Sequence, residues 1–302
     1  MHSITREMST PAEKAMAAGI NVELVMDDGL VQAAIVLDTI KNVKLIPIRD
    51  DDILLCTYPK SGTHWTWEIL NMIVVGKAEY AKHWQNSAWL EYRTHEELEA
   101  LASPRILHTH LRPSQLPDDV WHKRCKVVYV RRNPKDCVVS SFNQTTKQVW
   151  KDNPVAKPSY TGTWDDFIDI FLNGAFPGGP YFEHTLEWTN ISEVHENFQM
   201  CSVHYEDMKK DCVSEIRRMA DYLGRPLSEK TYQDISEACS FKKLKHANEK
   251  LKDQTYHFQW NDDSSGYFRK GITGDWKNWF TVAQSERFDK VYEERLKEKF
   301  PY

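Results

Sequence analysis

The sequence has no excess of basic residues, no long apolar run and no closely spaced cysteine pair. Its 302 residues include 39 Lys and Arg against 44 Asp and Glu, which gives a net charge of −5. Nucleic-acid binding needs a general excess of positive charge, so the composition argues against that class. No apolar stretch is long enough to cross a bilayer, and the first twenty residues contain no signal-peptide core. We therefore expect neither nucleic acid nor a membrane as a partner, and a cytoplasmic location.

The cysteines show no CxxC spacing, which argues against a metal-binding or redox pair. Several of them lie in or beside apolar runs, where a free thiol packs as a small core residue. We expect a reduced protein with neither disulfides nor structural zinc. The six positions are Cys56, Cys125, Cys137, Cys201, Cys212 and Cys239.

Short apolar runs alternate with segments of helical period, and this pattern predicts an α/β fold. The expected strands are residues 53–57, 105–110, 126–131 and 201–205, and the expected helices are residues 9–19, a segment after residue 63, 164–172, 213–223 and 285–300. Buried strands between helices indicate a mainly parallel central sheet with helices on both faces, in a single domain. The acidic run at residues 50–52 is expected to be a solvated turn. The polar regions 149–160 and 245–267 are expected to be long loops of the kind that form lids.

The loop after the first of these strands is the strongest local signal of a binding site. It reads Tyr58-Pro59-Lys60-Ser61-Gly62-Thr63 and leads into a helix. A loop of this shape points backbone N–H groups and a helix N-terminus at one place, where an anion can bind. It resembles a P-loop without matching the full motif, since Gly62 is its only glycine. The sequence therefore predicts a phosphate or sulfate site here.

Three more segments contain candidate residues. The basic cluster from Arg131 to Lys135 follows a predicted strand, where a second anion could bind, although by itself this cluster is better explained as a solvated strand end. His108 and His110 point to one face if their segment is extended. A metal site would need at least one more ligand, which the sequence does not nominate, so a general base is a better interpretation of these histidines than a metal site. A glycine-punctuated loop contains Arg269-Lys270-Gly271, which suits close approach to an anion.

Together these segments resemble the cytosolic sulfotransferase family, whose members use 3′-phosphoadenosine 5′-phosphosulfate. The resemblance covers the chain from about residue 40 to the C-terminus, in the family's order. It implies a sulfotransferase domain at 41–302, with 1–40 as an N-terminal segment packed on it. The matching residues are Tyr58 to Trp65, Thr109-His110-Leu111, Arg132 to Asp136 with Ser140, Tyr205 to Met208, Ser240-Phe241 and Arg269-Lys270-Gly271.

The resemblance also implies a role for each matching residue. The 5′-phosphosulfate would be held by Lys60, Ser61, Gly62 and Thr63, with His64 beside them. The 3′-phosphate would be held by Arg132, Ser140, Arg269, Lys270 and Gly271, and the adenine by Trp65, Tyr205, Cys239 and Phe241. His110 would be the catalytic base, with Lys60 and Ser140 as the other catalytic residues, and no metal would be needed. A KxxxTVxxxE dimerisation motif at Lys277, Thr281, Val282 and Glu286 implies a homodimer.

Three positions depart from the family pattern. His64 and Cys239 stand where relatives often have Thr, and His108 stands where relatives often have Lys. We expect the two histidines to make activity more sensitive to pH than is usual in this family.

Two other functions and the identity of the acceptor remain open. A P-loop kinase or NTPase would require Mg²⁺, and a binding protein would hold the nucleotide or a small apolar ligand without turnover. Eight aromatic residues are candidates to line an acceptor site and would suit a flat acceptor such as a phenol, catecholamine or steroid. They are Trp84, Trp89, Phe142, Trp150, Tyr160, Phe176, Tyr256 and Phe258. At least half of them are expected to lie in the core instead. A cationic amine would need a carboxylate, for which Glu91, Asp152 and Glu249 are candidates.

Overall fold

A four-stranded parallel sheet forms the centre of the fold in the computed structural model. The structure describes residues 10–27, 29–83, 85–150, 157–177, 179–196, 198–249, 258–260, 268–298 and 300–302, with the backbone alone at 150, 249 and 258–260. The strands are β1 Leu24–Asp27, β2 Leu30–Ala33, β3 Ile53–Thr57, β4 Ile106–Thr109, β5 Lys126–Arg131, β6 Gln148–Trp150, β7 Cys201–His204 and β8 Phe258–Trp260. The central sheet has the order β4-β3-β5-β7, and two antiparallel pairs, β1-β2 and β6-β8, lie outside it.

Both faces of the central sheet are buried. Leu54 and Cys56 of β3 belong to one apolar cluster, whereas the alternate residues Ile53 and Leu55 belong to a second cluster on the other face. Successive side chains of a strand point to opposite faces, so a strand covered on both sides reads as a continuous apolar run. The predicted parallel sheet with helices on both faces is confirmed.

Helices cover the two faces and connect the strands. Their bounds are α1 Pro11–Ala17, α2 Leu37–Val43, α3 Thr63–Val75, α4 His95–Glu99, α5 Asp119–His122, α6 Pro134–Thr145, α7 Trp164–Leu172, α8 Tyr181–Thr189, α9 Ile191–Val194, α10 Tyr205–Lys210, α11 Cys212–Tyr222, α12 Glu229–Ala238, α13 Phe241–Glu249 and α14 Val282–Leu296. Helix α3 begins after Gly62 and ends at Gly76, and both glycines have a positive φ, of 103° and 78°. Glycine adopts this left-handed conformation without strain, which explains why α3 starts and stops where it does.

Several predicted boundaries shift by a few residues. Tyr205 opens α10 instead of closing β7, because its strand ends at His204. Helix α14 starts at Val282, since Thr281 forms a capping box with Gln284 that the prediction overlooked. Helix α1 is capped in the same way by Thr10, and the predicted cap Ser9 lies outside the described residues.

The predicted solvated turn at residues 50–52 is wrong for Asp52. This carboxylate is only 1% exposed and forms a buried ion pair with Arg105, whose Nε lies 2.9 Å from Asp52 Oδ1. A buried charge is stable only when it is paired and hydrogen-bonded, which this guanidinium provides.

The N-terminal residues pack on the body of the fold. Ala12, Ile20 and Leu24 belong to the same apolar cluster as the central strands, and the Asn21 N–H donates to the Ser159 carbonyl at 2.9 Å. The hairpin β1-β2 was not predicted. The division of the chain at residue 40 remains a proposal, since α2 runs across it.

Two further properties concern the described residues as a whole. All six cysteines are free thiols; Cys212 is partly exposed and the other five are buried. Within the described ranges, none of the helices combines the length and the apolar character that a bilayer crossing requires.

Candidate functional site

A cavity of about 480 Å³ lies at the carboxyl ends of the parallel strands. Each central strand delivers a predicted site residue to it: Lys60 follows β3, His110 follows β4, Arg132 follows β5 and Tyr205 follows β7. Parallel strands end at one edge of a sheet, and ligands of open α/β folds bind there. The topology therefore brings together residues that are far apart in sequence.

The loop between β3 and α3 forms one wall of the cavity. A Cβ atom on Gly62 would lie 2.8 Å from Tyr205 Cδ2, so this position has space only for glycine. Thr63 Oγ1 is hydrogen-bonded to Thr57 Oγ1 at 2.6 Å, which ties the start of α3 to the end of β3. Ser61 is the one predicted nucleotide residue that does not line the cavity; it is buried, with its Oγ 3.5 Å from Cys137 Sγ.

Positive charges converge on this loop. The Arg132 guanidinium donates to the Lys60 carbonyl at 2.8 Å and lies over the Tyr205 ring at 4.3 Å. Burial, together with the neighbouring charges of Arg132 and Arg269, lowers the pKa of Lys60 to about 7. Like charges that lie this close favour the binding of an anion, so this wall has electrostatics that suit an anion site.

A second basic loop lines the same cavity. Arg269 and Lys270 both pair with Asp275, which is 1% exposed; the Lys270 Nζ lies 2.8 Å from Asp275 Oδ1. These hydrogen bonds hold the pKa of Asp275 well below its usual range, although burial acts in the opposite direction. The buried Asp136 of α6 accepts the N–H groups of Gly274 and Trp276 at 2.7 and 3.0 Å and so anchors the loop.

Aromatic rings also line the cavity near these two loops. Trp65 meets Tyr205 edge to face, with ring centroids 5.4 Å apart, and the Trp65 Nε1 is buried without a hydrogen-bond partner in the described part of the chain. Phe241 lies against Gly271, which has a φ of 64° and where a Cβ would lie 2.2 Å from Phe241 Cδ2. Flat surfaces of this kind suit a purine ring.

His110 is held in one tautomer by the end of β3. Its Nδ1 lies 2.8 Å from the Thr57 carbonyl oxygen, so Nδ1 carries the proton and Nε2 is left to accept one. Its backbone N–H donates to the carboxylate of Glu91. Burial lowers the pKa of His110 to about 4, and the nearby charge of Lys60 acts in the same direction. A neutral imidazole with one free nitrogen is what a general base requires.

Three more histidines line the same cavity, and burial lowers the pKa of each. The pKa of His64 falls to about 4 and that of His184 to about 3, while the pKa of His108 falls well below its usual value. His108 Nε2 is hydrogen-bonded to the Gln85 carbonyl at 3.1 Å. These side chains therefore add polar surface to the cavity without adding charge at neutral pH.

Nearly all of the predicted site residues meet in this cavity. The lining includes Lys60, Gly62, Thr63, His64, Trp65, His110, Arg132, Ser140, Tyr205, Cys239, Phe241, Arg269, Lys270 and Gly271. The predicted dimerisation residues Lys277, Thr281, Val282 and Glu286 lie outside it and are exposed. Among the described residues, no group of three His, Cys, Asp or Glu side chains is placed to hold a metal.

The candidate acceptor residues divide between cavity and core. Trp89, Phe176 and Glu91 line the cavity, whereas Phe142 and Tyr160 pack in the apolar core. Trp84, Asp152 and Tyr256 lie outside the described residues, as do the side chains of Trp150, Glu249 and Phe258.

Sequence reasoning missed several polar residues of the cavity, among them Gln32, Gln144, Gln148 and His184. Of these four, only Gln32 could have been found, because Asp28-Gly29 between two short apolar runs is a hairpin signal that predicts a strand through Gln32.

The sulfotransferase domain family matches residues 50–300 of the chain. Sulfotransferase 1C2 of Oryctolagus cuniculus is 37% identical over 294 residues, which cover 93% of this chain and 95% of the relative. Sulfotransferase 1A1 of Rattus norvegicus is 39% identical over 253 residues, covering 80% of this chain and 83% of the relative.

Solved structures agree with the sequence relatives. The crystal structure of mouse sulfotransferase SULT7A1 complexed with PAP is similar with a TM-score of 0.72 and 31% identity, over 91% of this chain and 94% of that one. Retinol dehydratase in a complex with retinol and PAP has a TM-score of 0.76 at 24% identity over 98% of both chains, a likeness that concerns the fold alone. The match spans most of the chain and contains the strand ends that build the cavity, and so the chain belongs to the sulfotransferase family.

Proposed function

We propose that this sulfotransferase transfers the sulfuryl group of 3′-phosphoadenosine 5′-phosphosulfate to a hydroxyl or amine of a small acceptor. The observation that carries the proposal is the convergence of Lys60, Arg132 and Arg269 on the cavity that also contains His110. The related mouse enzyme solved with PAP supports the choice of nucleotide. When bound, the donor supplies an activated sulfuryl group, and the product nucleotide is PAP.

The two basic loops fit the two anionic ends of such a nucleotide. Lys60 and the backbone around Gly62 and Thr63 would hold the 5′-phosphosulfate, with His64 beside them and with Ser61 contributing from beneath the loop. The 3′-phosphate would be held by Arg132, Ser140, Arg269, Lys270 and Gly271, and the adenine by Trp65, Tyr205, Cys239 and Phe241. The unpartnered Trp65 Nε1 and the glycines at 62 and 271, which leave no space for a Cβ, support a ligand at close range. We propose no metal, because Lys and Arg supply the positive charge.

His110 is the proposed general base. Its Nε2 would take the proton of the acceptor hydroxyl, while Thr57 keeps Nδ1 protonated. Lys60 would place a positive charge beside the leaving nucleotide, where negative charge develops during transfer. A positioned base contributes about 10²–10⁴-fold to the rate, so replacement of His110 should remove most of the activity.

The acceptor is proposed to be small and to have an aromatic or other flat apolar frame, as in a phenol, catecholamine or steroid. Trp89, Tyr92 and Phe176 line the cavity and provide flat apolar surface. Glu91 also lines it; its Oε1 accepts the His110 N–H, whereas its Oε2 is buried without a hydrogen-bond partner among the described residues. Burial raises the pKa of Glu91 to about 7, so this carboxyl group carries less negative charge at neutral pH and is a weaker partner for a cationic amine.

Two statements about the whole protein are also proposals. The exposed side chains of Lys277, Thr281, Val282 and Glu286 would form a homodimer interface, and Val282 is 75% exposed in the single chain. Val282→Glu should then give a monomer in sedimentation, and an unchanged sedimentation coefficient would refute the interface. A reducing, cytoplasmic location is proposed because all six cysteines are free thiols.

The deciding experiment measures transfer of labelled sulfate from the donor to phenols, catecholamines, steroids and alcohols, without added magnesium. His110→Ala should lower kcat about 10²–10⁴-fold without a large change in nucleotide affinity, and His122→Ala, at an exposed histidine, is the matched control. Tight nucleotide binding with no transfer to any acceptor would contradict the proposal. Activity that depends on magnesium and ATP would point to phosphoryl transfer instead.

A further inference from the structure

Two glutamine side chains in the cavity have no part in the proposed chemistry. Gln32 of β2 is 7% exposed and Gln148 of β6 is 3% exposed, and both line the cavity. Glutamine is usually found at the protein surface, so two such buried amides in one ligand cavity require an explanation.

Strand alternation points Gln32 into the cavity. Leu30 and Gln32 line the cavity, whereas the alternate residues Val31 and Ala33 belong to the apolar core. A shift of one residue would put a small apolar side chain in the position of the amide. The burial of Gln32 is therefore a consequence of its strand register.

Gln148 is fixed in place through its backbone. Its carbonyl accepts the N–H of Ser159 at 2.7 Å and the Ser159 hydroxyl at 3.0 Å. The Ser159 carbonyl in turn accepts the Asn21 N–H, which joins this wall to the segment that leads into β1. The two amides thus belong to connected parts of the same wall.

The amides keep hydrogen-bonding capacity for a ligand. Gln148 Oε1 accepts the Nε2 of Gln144 at 2.8 Å, and Gln144 Oε1 accepts the ammonium of Lys60. This order leaves the Nε2 of Gln148 as a donor, and within the described residues it has no protein partner. The Gln32 amide likewise has no protein partner there, and neither group is sealed from the cavity. A buried amide without partners is costly, so a ligand that pairs with it gains affinity.

The chemistry of the wall selects the kind of ligand. A primary amide donates and accepts without charge, so its complement is a neutral hydroxyl or carbonyl group. The surrounding lining is apolar, and the same N-terminal part of the chain contributes Leu30, Val36 and Ile40 to it. We propose that the acceptor is a neutral amphipathic molecule with an apolar frame and at least one hydroxyl or carbonyl group besides the one that is sulfated. Gln32 and Gln148 recognise that second group, and this inference rests on the proposed function.

The test compares acceptors that share a frame and differ in one polar group. Suitable pairs are 2-naphthol with 2,7-dihydroxynaphthalene and a 3-hydroxysteroid with its 3,17-dihydroxy counterpart. The wild-type enzyme should prefer the second member of at least one pair about tenfold in kcat/KM, after correction for the number of equivalent hydroxyls. Gln32→Met and Gln148→Met keep the length of the side chain and remove the amide, and each should reduce that preference through KM rather than kcat.

Several results would overturn the inference. Equal kcat/KM for both members of every pair would refute a recognised second group, and an unchanged preference in both variants would refute the two glutamines. Thermal unfolding and the Kd for PAP show whether each variant is folded, and Gln32→Asn is a milder replacement if the Met variant is not. If no acceptor is sulfated, the proposed function fails. Equilibrium binding of the same acceptor pairs to the PAP complex then decides separately whether the amides discriminate between them.

Discussion

Replacing His184 by phenylalanine tests whether burial keeps the histidines of the cavity uncharged. His184 is 2% exposed, and neither ring nitrogen has a hydrogen-bond partner among the described residues. Burial lowers its pKa from 6.5 to about 3, and the nearby His110 and Arg112 act in the same direction. Phenylalanine keeps a planar ring beside Tyr58, whose centroid lies 5.5 Å away, and it cannot take up a proton.

The size of the effect follows from proton linkage. The unfolded state binds a proton as the pH falls through 6.5, whereas folded His184 stays neutral down to about pH 3. The neutral side chain therefore contributes stability that is present above pH 6.5 and is lost as the pH falls toward 3. Between pH 7 and pH 5 this loss amounts to about 2 kcal/mol. From pH 7 to pH 5, the free energy of unfolding of the variant should therefore fall by about 2 kcal/mol less than that of the wild type.

The assay is urea unfolding of both proteins at pH 7 and pH 5. Burial raises the pKa of Glu68 and of Glu91 to about 7, so protonation of these two groups stabilises the folded protein as the pH falls. This effect opposes that of His184 and is the same in both proteins, so the two proteins must be compared. The matched control His122→Phe removes an exposed histidine that contacts solvent in both states, and it should leave the wild-type difference unchanged. The same loss of stability in His184→Phe and in the wild type would refute the reasoning.

Two further predictions concern the proposed nucleotide site. Because the pKa of Lys60 is about 7 and an anion favours its charged form, the affinity for PAP should fall about tenfold per pH unit above 7 in titration calorimetry. Lys60→Met should remove that dependence, and an affinity that is flat from pH 7 to 8.5 in the wild type would contradict it. Gly271→Ala should weaken PAP binding at least tenfold, because its Cβ would lie 2.2 Å from a Phe241 ring atom. Gly224→Ala is the control, since this glycine has a φ of 70° with no atom within 4 Å of its Cβ, and equal effects of the two variants would rule out the clash.

The elements that the sequence predicted best are those determined by local pattern. Strand β5 and helix α7 have the predicted bounds, because an unbroken apolar run and a strong helical period leave few alternatives. Asp52 shows where local pattern fails. Its ion-pair partner Arg105 lies 53 residues away, so an acidic run that reads as solvated contains a buried carboxylate. The pair β6-β8 was missed because such short strands have little pattern of their own, whereas β1-β2 was overlooked although Asp28-Gly29 is a hairpin signal.

In the site, too, features set by local sequence could be predicted and features set by long-range contacts could not. The meeting of the proposed nucleotide residues in one cavity was predictable, because each follows a strand or lies in a motif, and parallel topology brings strand ends together. The strand that carries Gln32 could have been found from its hairpin signal. The connection of its segment to that of Gln148 could not, since it depends on the long-range hydrogen bond between Asn21 and Ser159. The tautomer of His110 also depends on Thr57, on a neighbouring strand.

The six native thiols can be used to measure where the folded protein opens locally. Cys212 is partly exposed and lines the cavity, whereas the other five thiols are buried. Four of these five are divided between the two apolar clusters: Cys56, Cys125, Cys201 and Cys239. A thiol-reactive dye should label Cys212 first, and mass spectrometry can follow the remaining positions one by one as each region opens. The order of labelling, with and without PAP, would give a map of the parts of the molecule that the nucleotide rigidifies, without any engineered cysteine.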